Sequence, residues 1–195
     1  MKRTATITRK TKETDISLRL GLDGKGQVQI KSGIGFFDHM LEGFARHGFF
    51  DLDLSIRGDL QVDGHHSVED AGIVLGQALR EALGDKSGIR RFGQSILPMD
   101  DALVLCAIDL GGRPYFDFDV AFNSEAVGYL QTGLVREFFY AISYAAALNL
   151  HIKLLSGHND HHIIEAIFKA FARALSEAVS YDPRVDGLLT TKGVL

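Results

Sequence analysis

The sequence contains few of the residues that cross-link or interrupt a fold: of its 195 residues, one is cysteine, three are proline and none is tryptophan. Because Cys106 has no second cysteine to pair with, a scaffold held by internal disulfides is excluded. A chain of this length buries about 70% of its unfolded surface, which is enough for a core without cross-links. At roughly 100–200 residues per domain, the length predicts one domain or two small ones in close contact.

The sequence also has no large excess of charge of one sign and no long apolar run. The chain has 25 acidic and 21 basic side chains, a formal net charge of −4, and no basic tract, which argues against a nucleic-acid-binding protein. The basic residues among the first fourteen are not followed by an apolar run, so the sequence predicts neither a signal peptide nor a transmembrane helix. We therefore expect a cytoplasmic protein without nucleic-acid or membrane partners.

Histidine, in contrast, is abundant and unevenly placed, because four of the eight histidines form two adjacent pairs. His65-His66 is followed by Glu69, and His161-His162 by Glu165, at an offset of 96 residues. The match continues downstream, where alanine, leucine, glutamate and alanine at 78, 79, 81 and 82 recur at 174, 175, 177 and 178. Because twice 96 is almost the whole chain, we predict one domain, 1–195, made by internal duplication, with halves at about 1–86 and 87–195.

Hydrophobic spacing predicts the same order of elements in both halves: strands, helix, strand, helix. Helices are predicted from Phe36 to near Gly48, from His65 to a stop at Gly84, from Leu134 to Ala147, and after His161. Strands are predicted at 4–8, 16–20, 28–30, 49–56, 103–110, 115–120 and 148–155. The pattern indicates an α+β fold of two similar halves, each a small β-sheet with two helices, packed by pseudo-twofold symmetry.

The histidine pairs predict a two-metal site. On a helix, residues i and i+4 share a face, whereas adjacent residues point about 100° apart. His65 with Glu69, and His161 with Glu165, can therefore each bind one ion. The adjacent His66 and His162 are free to reach another ion.

A pseudo-twofold axis would let each ion take a His-Glu pair from one motif and the spare histidine from the other. His39 and Glu137, at the starts of the preceding helices, are candidates for a fourth ligand. Imidazole and carboxylate ligands without thiolate suit octahedral Mn, Fe or Co better than Zn. A lone histidine pair at a helix start is usually a cap or a surface feature. Here the pair occurs twice, each time with a glutamate at the same spacing, which favours metal binding.

Other readings of single residues stay open. Glu165 and Lys169 have the spacing of a surface ion pair on a helix. His47, eight residues after His39, suits either substrate contact or helix-end capping. His151 and His158 read as ordinary strand and loop residues.

Three segments carry a family resemblance: GIGFFDHML at 33–41, DGHHSVED at 63–70 and TKGVL at the C-terminus. With the two HHxxE motifs, they resemble imidazoleglycerol-phosphate dehydratase of histidine biosynthesis over essentially the whole chain. The resemblance implies a homo-oligomer of 24 chains, assembled from trimers, that uses Mn²⁺ to convert D-erythro-imidazoleglycerol phosphate to imidazole-acetol phosphate. It implies that the metal ligands are His39, His65, His66, Glu69, His161, His162 and Glu165, with Glu137 where some members have histidine.

The resemblance also places phosphate-binding residues on Arg91, Arg113 and Lys192, with the hydroxyl of Thr190 or Thr191 nearby. Guanidinium groups bind phosphate in bidentate fashion, which agrees with this placement. Without the resemblance, Arg90 or Arg113 would equally read as a solvated loop charge.

The mechanism must supply an electron sink, because the proton removed lies on a carbon without an adjacent carbonyl. Two cations on the substrate's imidazole nitrogens would favour imidazolate, whose electrons expel the hydroxyl and leave a diazafulvene-like intermediate. A base then deprotonates this species toward the enol. The resemblance assigns the acid/base role to Glu13, with Asp100 and His47 as alternatives.

Two other classes of protein are compatible with paired metals. A di-metal hydrolase such as a phosphatase would use the same metals and arginines, but the sequence has no nucleophilic aspartate motif of that type. A metal-stapled scaffold would bind metal without phosphate affinity. Turnover of imidazoleglycerol phosphate by the Mn-loaded protein separates the three classes.

Overall fold

A computed structural model describes residues 3–194, in which two four-stranded sheets flank four helices. The first half comprises β1 (Thr4–Lys10), β2 (Thr14–Gly21), β3 (Val28–Lys31), α1 (Gly35–Gly48), β4 (Asp51–Gly58) and α2 (His65–Leu83). The second half comprises β5 (Phe92–Met99), β6 (Ala102–Asp109), β7 (Tyr115–Asp119), β8 (Ala126–Val127), β9 (Leu130–Gln131), α3 (Gly133–Ala146), β10 (Asn149–Ser156) and α4 (Asp160–Val179).

The two large sheets have the same topology. Their strand orders are β1-β2-β4-β3 and β5-β6-β10-β7. In each sheet the last pair is parallel, β3 with β4 and β7 with β10, and the other pairs are antiparallel. The predicted α+β fold of two similar halves is therefore confirmed, with the small β8–β9 hairpin as an addition in the second half.

Strand β5 is absent from the sequence prediction. It contains Gly93 and Pro98, which are unfavourable in a strand interior, but it lies at the edge of its sheet, where proline is tolerated. Gly93 lies directly against α4, where an added Cβ would come within 1.9 Å of the Ala174 carbonyl oxygen. The glycine that weakens the strand signal is thus required by the packing of a helix on this strand.

The helices lie between the sheets, and each packs against a helix of the other half. Helix α2 covers β1 and β2 and contacts α3, while α4 covers β5 and β6 and contacts α1. A cluster of buried phenylalanines, Phe37, Phe138 and Phe168 among them, fills the space between the helices. None of the helices within the described residues is long and apolar enough to cross a membrane.

The histidine pairs lie in the first turns of α2 and α4, where side chains fix the backbone. The Asp63 carboxylate accepts a hydrogen bond from the His65 N–H at 2.8 Å, and the Asn159 side chain accepts one from the His161 N–H at 3.0 Å. These contacts satisfy amide groups that have no partner within the helix. Both pairs are therefore held at a defined helix end, as the sequence predicts.

Candidate metal centre and phosphate pocket

His39, His161 and Glu165 form a group in which the potential ligand atoms all lie within 4.8 Å of one another. It is the one such group of three that residues 3–194 contain. His39 projects from α1 and the other two from α4, so the packing of these helices brings the two halves of the chain together at this site. Histidine nitrogen and carboxylate oxygen are suitable ligands for a divalent transition metal.

The two oxygens of Glu165 have different partners. Oε2 lies 3.4 Å from His161 Nε2, and Oε1 accepts an ion-pair contact from Lys169 Nζ at 2.6 Å. Burial alone would raise the pKa of Glu165, but the hydrogen bond and charge of Lys169 more than offset it, and the pKa is lowered. The ion pair with Lys169 therefore coexists with the metal-type cluster and keeps this carboxylate anionic.

The first motif has the same helical spacing but a less complete group. His65 Nε2 lies 3.6 Å from Glu69 Oε2. Glu137, the predicted additional ligand, pairs with Arg136 at 3.1 Å and is not part of a three-residue group in the described part of the chain. The spare histidines, His66 and His162, also lie outside such a group within one chain.

Each spare histidine is held through its Nδ1 atom by an aspartate. Asp59 lies 3.0 Å from Nδ1 of His66, and Asp101 lies 2.7 Å from Nδ1 of His162. The hydrogen bond to the Asp59 carboxylate is the main cause of the raised pKa of His66. A carboxylate at one ring nitrogen fixes the tautomer and directs the other nitrogen outward, as in many metal sites. Sequence reasoning missed both aspartates, which are not related by the 96-residue offset.

The hairpin turns add a carboxylate near each spare histidine. Asp100, in the β5–β6 turn, places Oδ2 3.4 Å from His162 Nε2. Glu13, in the equivalent β1–β2 turn, lies close enough that its charge contributes to the raised pKa of His66. Two of the predicted acid/base candidates thus occupy corresponding places beside the two motifs.

His47, the third acid/base candidate, lies in the last turn of α1. Burial, followed by the nearby charges of Lys169 and Arg173, lowers its pKa, so its ring is neutral at neutral pH. Along the helix it is about 12 Å from His39, at 1.5 Å per residue. It therefore faces the flank of α4 rather than the cluster at the start of that helix.

The predicted phosphate-binding residues meet in one open pocket. Arg91, Arg113, Thr190 and Lys192 line it, together with Thr191. Arg91 contacts the Asp109 carboxylate through Nε at 2.7 Å and Nη2 at 3.0 Å, and its Nη1 donates to the Leu189 carbonyl at 2.7 Å. Arg113 and Lys192 are exposed. The pocket is therefore basic, and Arg91 ties its wall to the C-terminal segment.

This pocket and the histidines lie at opposite ends of the same helices. The Arg91 N–H donates to the carbonyl of Ala178, near the end of α4, at 3.0 Å. Lys86, just after α2, donates to the carbonyl of Leu110 beside the pocket at 2.9 Å. The sixteen residues from His162 to Ala178 span about 24 Å of helix. The fold and these side chains define an enzyme whose candidate centre is built from duplicated histidine–carboxylate motifs.

Comparison with known proteins identifies the family. Residues 32–175 match the family model described as imidazoleglycerol-phosphate dehydratase. Relatives of that name from Lachnoclostridium phytofermentans and Acetivibrio thermocellus are 62% and 55% identical over 195 residues, covering all of both chains.

Solved structures agree with these relatives. The dehydratase from Staphylococcus aureus has a TM-score of 0.84 and 39% identity, covering 92% of this chain and 99% of that one. The enzyme from Pyrococcus furiosus has a TM-score of 0.83 and 41% identity, covering 97% and 100%. The chain belongs to the imidazoleglycerol-phosphate dehydratase family, and it is a hydro-lyase of histidine biosynthesis.

Proposed function

We propose that the enzyme dehydrates D-erythro-imidazoleglycerol phosphate to imidazole-acetol phosphate with two Mn²⁺ ions per active site. The observation that carries the metal dependence is the convergence of His39, His161 and Glu165 within 4.8 Å. His65 and Glu69 would contribute to the second ion, and His66 and His162 would supply their outward Nε2 atoms. Glu137 remains a proposed ligand, for which its ion pair with Arg136 would have to open.

The substrate's imidazole ring is the group to be activated. When bound, the two cations would supply Lewis-acid stabilisation of negative charge on this ring, which is the electron sink that the dehydration needs. The residues around them suit this role, because aspartates hold the Nδ1 atoms of His66 and His162 and leave Nε2 for an ion. The anionic Glu165 adds a negative ligand.

We assign proton transfer to Glu13. In the overall reaction one C–H bond and one C–O bond break, hydroxide leaves with a proton as water, and the enol product rearranges to the ketone. A carboxylate beside His66 is placed to take the carbon proton, since a positioned side-chain base within reach contributes typically 10²–10⁴-fold to such steps. Asp100 and His47 are the alternative groups.

The distance between the metal and phosphate residues supports an active site shared between chains. A ring, three carbons and a phosphate ester span roughly 10 Å at ~1.5 Å per bond, whereas the helix between His162 and Ala178 is about 24 Å long. One chain therefore cannot present both ends of the same α4 helix to one substrate. We propose that Arg91, Arg113, Thr190 and Lys192 bind the phosphate of a substrate whose ring lies on another chain's histidines, within the 24-chain homo-oligomer.

We also propose a cytoplasmic location. A phosphate ester carries charge, and charged groups cross a bilayer only at high energetic cost. The enzyme would therefore work in the compartment that makes its substrate.

The metal dependence is tested by removing metal, verifying its loss by elemental analysis, and measuring turnover of imidazoleglycerol phosphate. We expect turnover to be lost and to return with added Mn²⁺. His65→Ala and His162→Ala should lower manganese content and disrupt assembly. Full turnover by verified metal-free enzyme would refute the proposal.

The role of Glu13 is tested by Glu13→Gln, which keeps the size of the side chain and removes the base. We expect turnover to fall by about 10²–10⁴-fold, the usual contribution of a general base, with manganese content unchanged. Lys12→Gln, in the same exposed turn, is the matched control and should retain turnover. Near-normal turnover by Glu13→Gln would assign proton transfer to another group.

A further inference from the structure

A buried polar cluster connects helix α2 to the turn between β1 and β2. Asp70, which follows Glu69 on α2, is buried, as is Thr14. The Asp70 carboxylate accepts hydrogen bonds from Arg9 Nε at 2.8 Å and from Thr14 Oγ1 at 2.5 Å. One buried carboxylate thus joins both strands of the β1–β2 hairpin to the helix that carries the first histidine pair.

The turn itself is closed around Thr11. The Thr11 hydroxyl oxygen accepts hydrogen bonds from the backbone N–H groups of Glu13 at 3.0 Å and Thr14 at 2.9 Å. The backbone N–H of Thr11 donates to the Thr14 carbonyl at 2.8 Å. Thr14 therefore belongs to both networks, the turn and the buried cluster. Through it, the backbone of Glu13 is connected to α2 although the Glu13 residue is exposed.

The second half shows that this packing does not require a polar cluster. At the 96-residue offset, Asp70 and Ser67 correspond to Ala166 and Ile163, both buried. A Cβ on Gly157 would meet Ala102 and Ile163, just as one on Gly58 would meet Thr14 and Ser67, so Ala102 occupies the place of Thr14. At this contact the equivalent hairpin packs on α4 through apolar residues, while its turn is held at the start of α4 by Asp101, which accepts the N–H groups of His158 and Asn159 and contacts His162.

Stability alone does not account for this difference. Replacing a buried ion pair by well-packed apolar residues is often neutral or stabilising, and the two hairpins pack in the same way with or without the charge. Each turn carries a carboxylate near a spare histidine, Glu13 in the first half and Asp100 in the second, but Glu13 is the one to which we assign proton transfer. A displacement of about 1 Å at a reacting group can reduce a rate about 10²-fold, so a base on an exposed turn needs a rigid support.

We propose that Asp70, acting through Thr14, is a positioning residue that holds the Thr11–Thr14 turn and thereby sets Glu13 against its substrate. This inference rests on the proposed function, in which Glu13 transfers the proton. Arg9 keeps the Asp70 carboxylate oriented toward the hairpin. In the second half a different residue holds the turn, because Asp101 within it contacts His162 and accepts the N–H groups of His158 and Asn159.

The test is Thr14→Val, which preserves shape and removes the hydroxyl that joins turn and helix. In the Mn-loaded enzyme we expect kcat to fall about 10- to 100-fold, with KM and manganese content unchanged and with faster amide hydrogen exchange at residues 11–14. Thr14→Ser, which restores a hydroxyl, should recover most of kcat. If Thr14→Val does not assemble, Asp70→Asn provides the same readouts.

Ser67→Ala is the matched control. Ser67 Oγ is buried at the same contact, and within the described residues it has no hydrogen-bond partner. Because its hydroxyl is outside the Asp70 network, we expect its loss to leave kcat and exchange at residues 11–14 unchanged.

A double variant separates this inference from the role of Glu13. If Thr14 acts through Glu13, Thr14→Val should cause no further loss of kcat in the Glu13→Gln background. The positioning role would be overturned if Thr14→Val lowered kcat by the same factor in the parent and in Glu13→Gln. It would also be overturned if Thr14→Val left amide hydrogen exchange in the turn unchanged. Normal turnover by Glu13→Gln would instead overturn the role of Glu13, while the exchange data would still report whether Thr14 holds the turn.

Discussion

Single residues outside the two HHxxE motifs fix the orientation of histidines within those motifs. Asp59 and Asp101 hold the Nδ1 atoms of His66 and His162, so each ring directs its Nε2 away from this aspartate, and that of His162 lies 3.4 Å from Asp100. Asp101 is itself fixed, because it accepts the backbone N–H groups of His158 and Asn159 at 2.6 and 3.0 Å. The orientation of His162 is thus determined by Asp101, a residue that no motif marks.

Asp101→Asn should weaken manganese binding. The amide cannot stabilise the ring as a carboxylate does, and losing such an outer partner typically lowers metal affinity 10–100-fold. Titration of metal-free protein with Mn²⁺, followed by electron paramagnetic resonance of the free ion, measures the change. Asp23→Asn, an exposed partner of Arg3 beyond the end of β2 that is opposite the Thr11–Thr14 turn, is the control. Unchanged affinity in Asp101→Asn would show that the ring needs no such support.

The same aspartate should make the stability of the metal-free protein depend on pH. The hydrogen bond with His162, followed by the two backbone N–H groups, holds the pKa of Asp101 well below its usual 3.8. A group with a lowered folded-state pKa stabilises the fold above its unfolded-state pKa, and this contribution is lost as the pH falls toward the folded-state value. We expect the melting temperature to fall less in Asp101→Asn than in the parent between about pH 5 and pH 3. Equal falls in melting temperature for the two proteins over this pH range would contradict this expectation.

At the scale of helices and strands, close packing explains where sequence reasoning succeeds and where it fails. The four helices follow from apolar spacing, and the end of α2 follows from the stop at Gly84. Strand β5 does not, because Gly93 is selected by its contact with α4 rather than by strand propensity. Likewise, the repeat reveals the His-Glu pairs, whereas Asp59, Asp70 and Asp101 become functional candidates only through tertiary contacts.

The α2–α3 contact provides a test of this packing. A Cβ on Gly72 would come within 2.6 Å of the Phe138 carbonyl oxygen, whereas a Cβ on Gly43, in α1, would meet nothing within 4 Å. Gly72→Ala should destabilise the protein by about 1–3 kcal/mol through overpacking. Gly43→Ala should stabilise it by up to ~1 kcal/mol through helix propensity. Denaturant unfolding of the metal-free protein measures both, and equal effects of the two changes would refute the close approach.

At the scale of the whole molecule, the proposed shared site would make catalysis depend on assembly, because the histidines and the basic pocket lie at opposite ends of α4. Subunits that exchange residues at a shared site also stabilise one another when ligand or metal is bound. Activity, metal content and oligomeric state should therefore change together on dilution or metal removal.

Complementation between inactive variants tests the shared site. Glu13→Gln, which should keep its metal, and Lys192→Ala should each have low activity alone, for lack of the base or of a phosphate contact. When the two variants are assembled in equal amounts, about half of the chains carry one intact part of the site and the other half carry the other part. A site that takes each part from a different chain is then complete in roughly a quarter of cases. Hybrid oligomers no more active than the parents would place all contributions in one chain. Mixing each variant with itself is the control.

The pairing of α1 with α4 and of α2 with α3 also bears on the origin of the chain. A half-length ancestor would have exposed the helix faces that the other half now covers, and two copies could have covered them by dimerising. The cluster of His39, His161 and Glu165 would then have been an intermolecular site before the two genes were joined. Fusion would have replaced an encounter limited by concentration with one at a high effective concentration within a single polypeptide. After that event, the two copies of the helix were free to diverge, as the charged Asp70 and the apolar Ala166 have done.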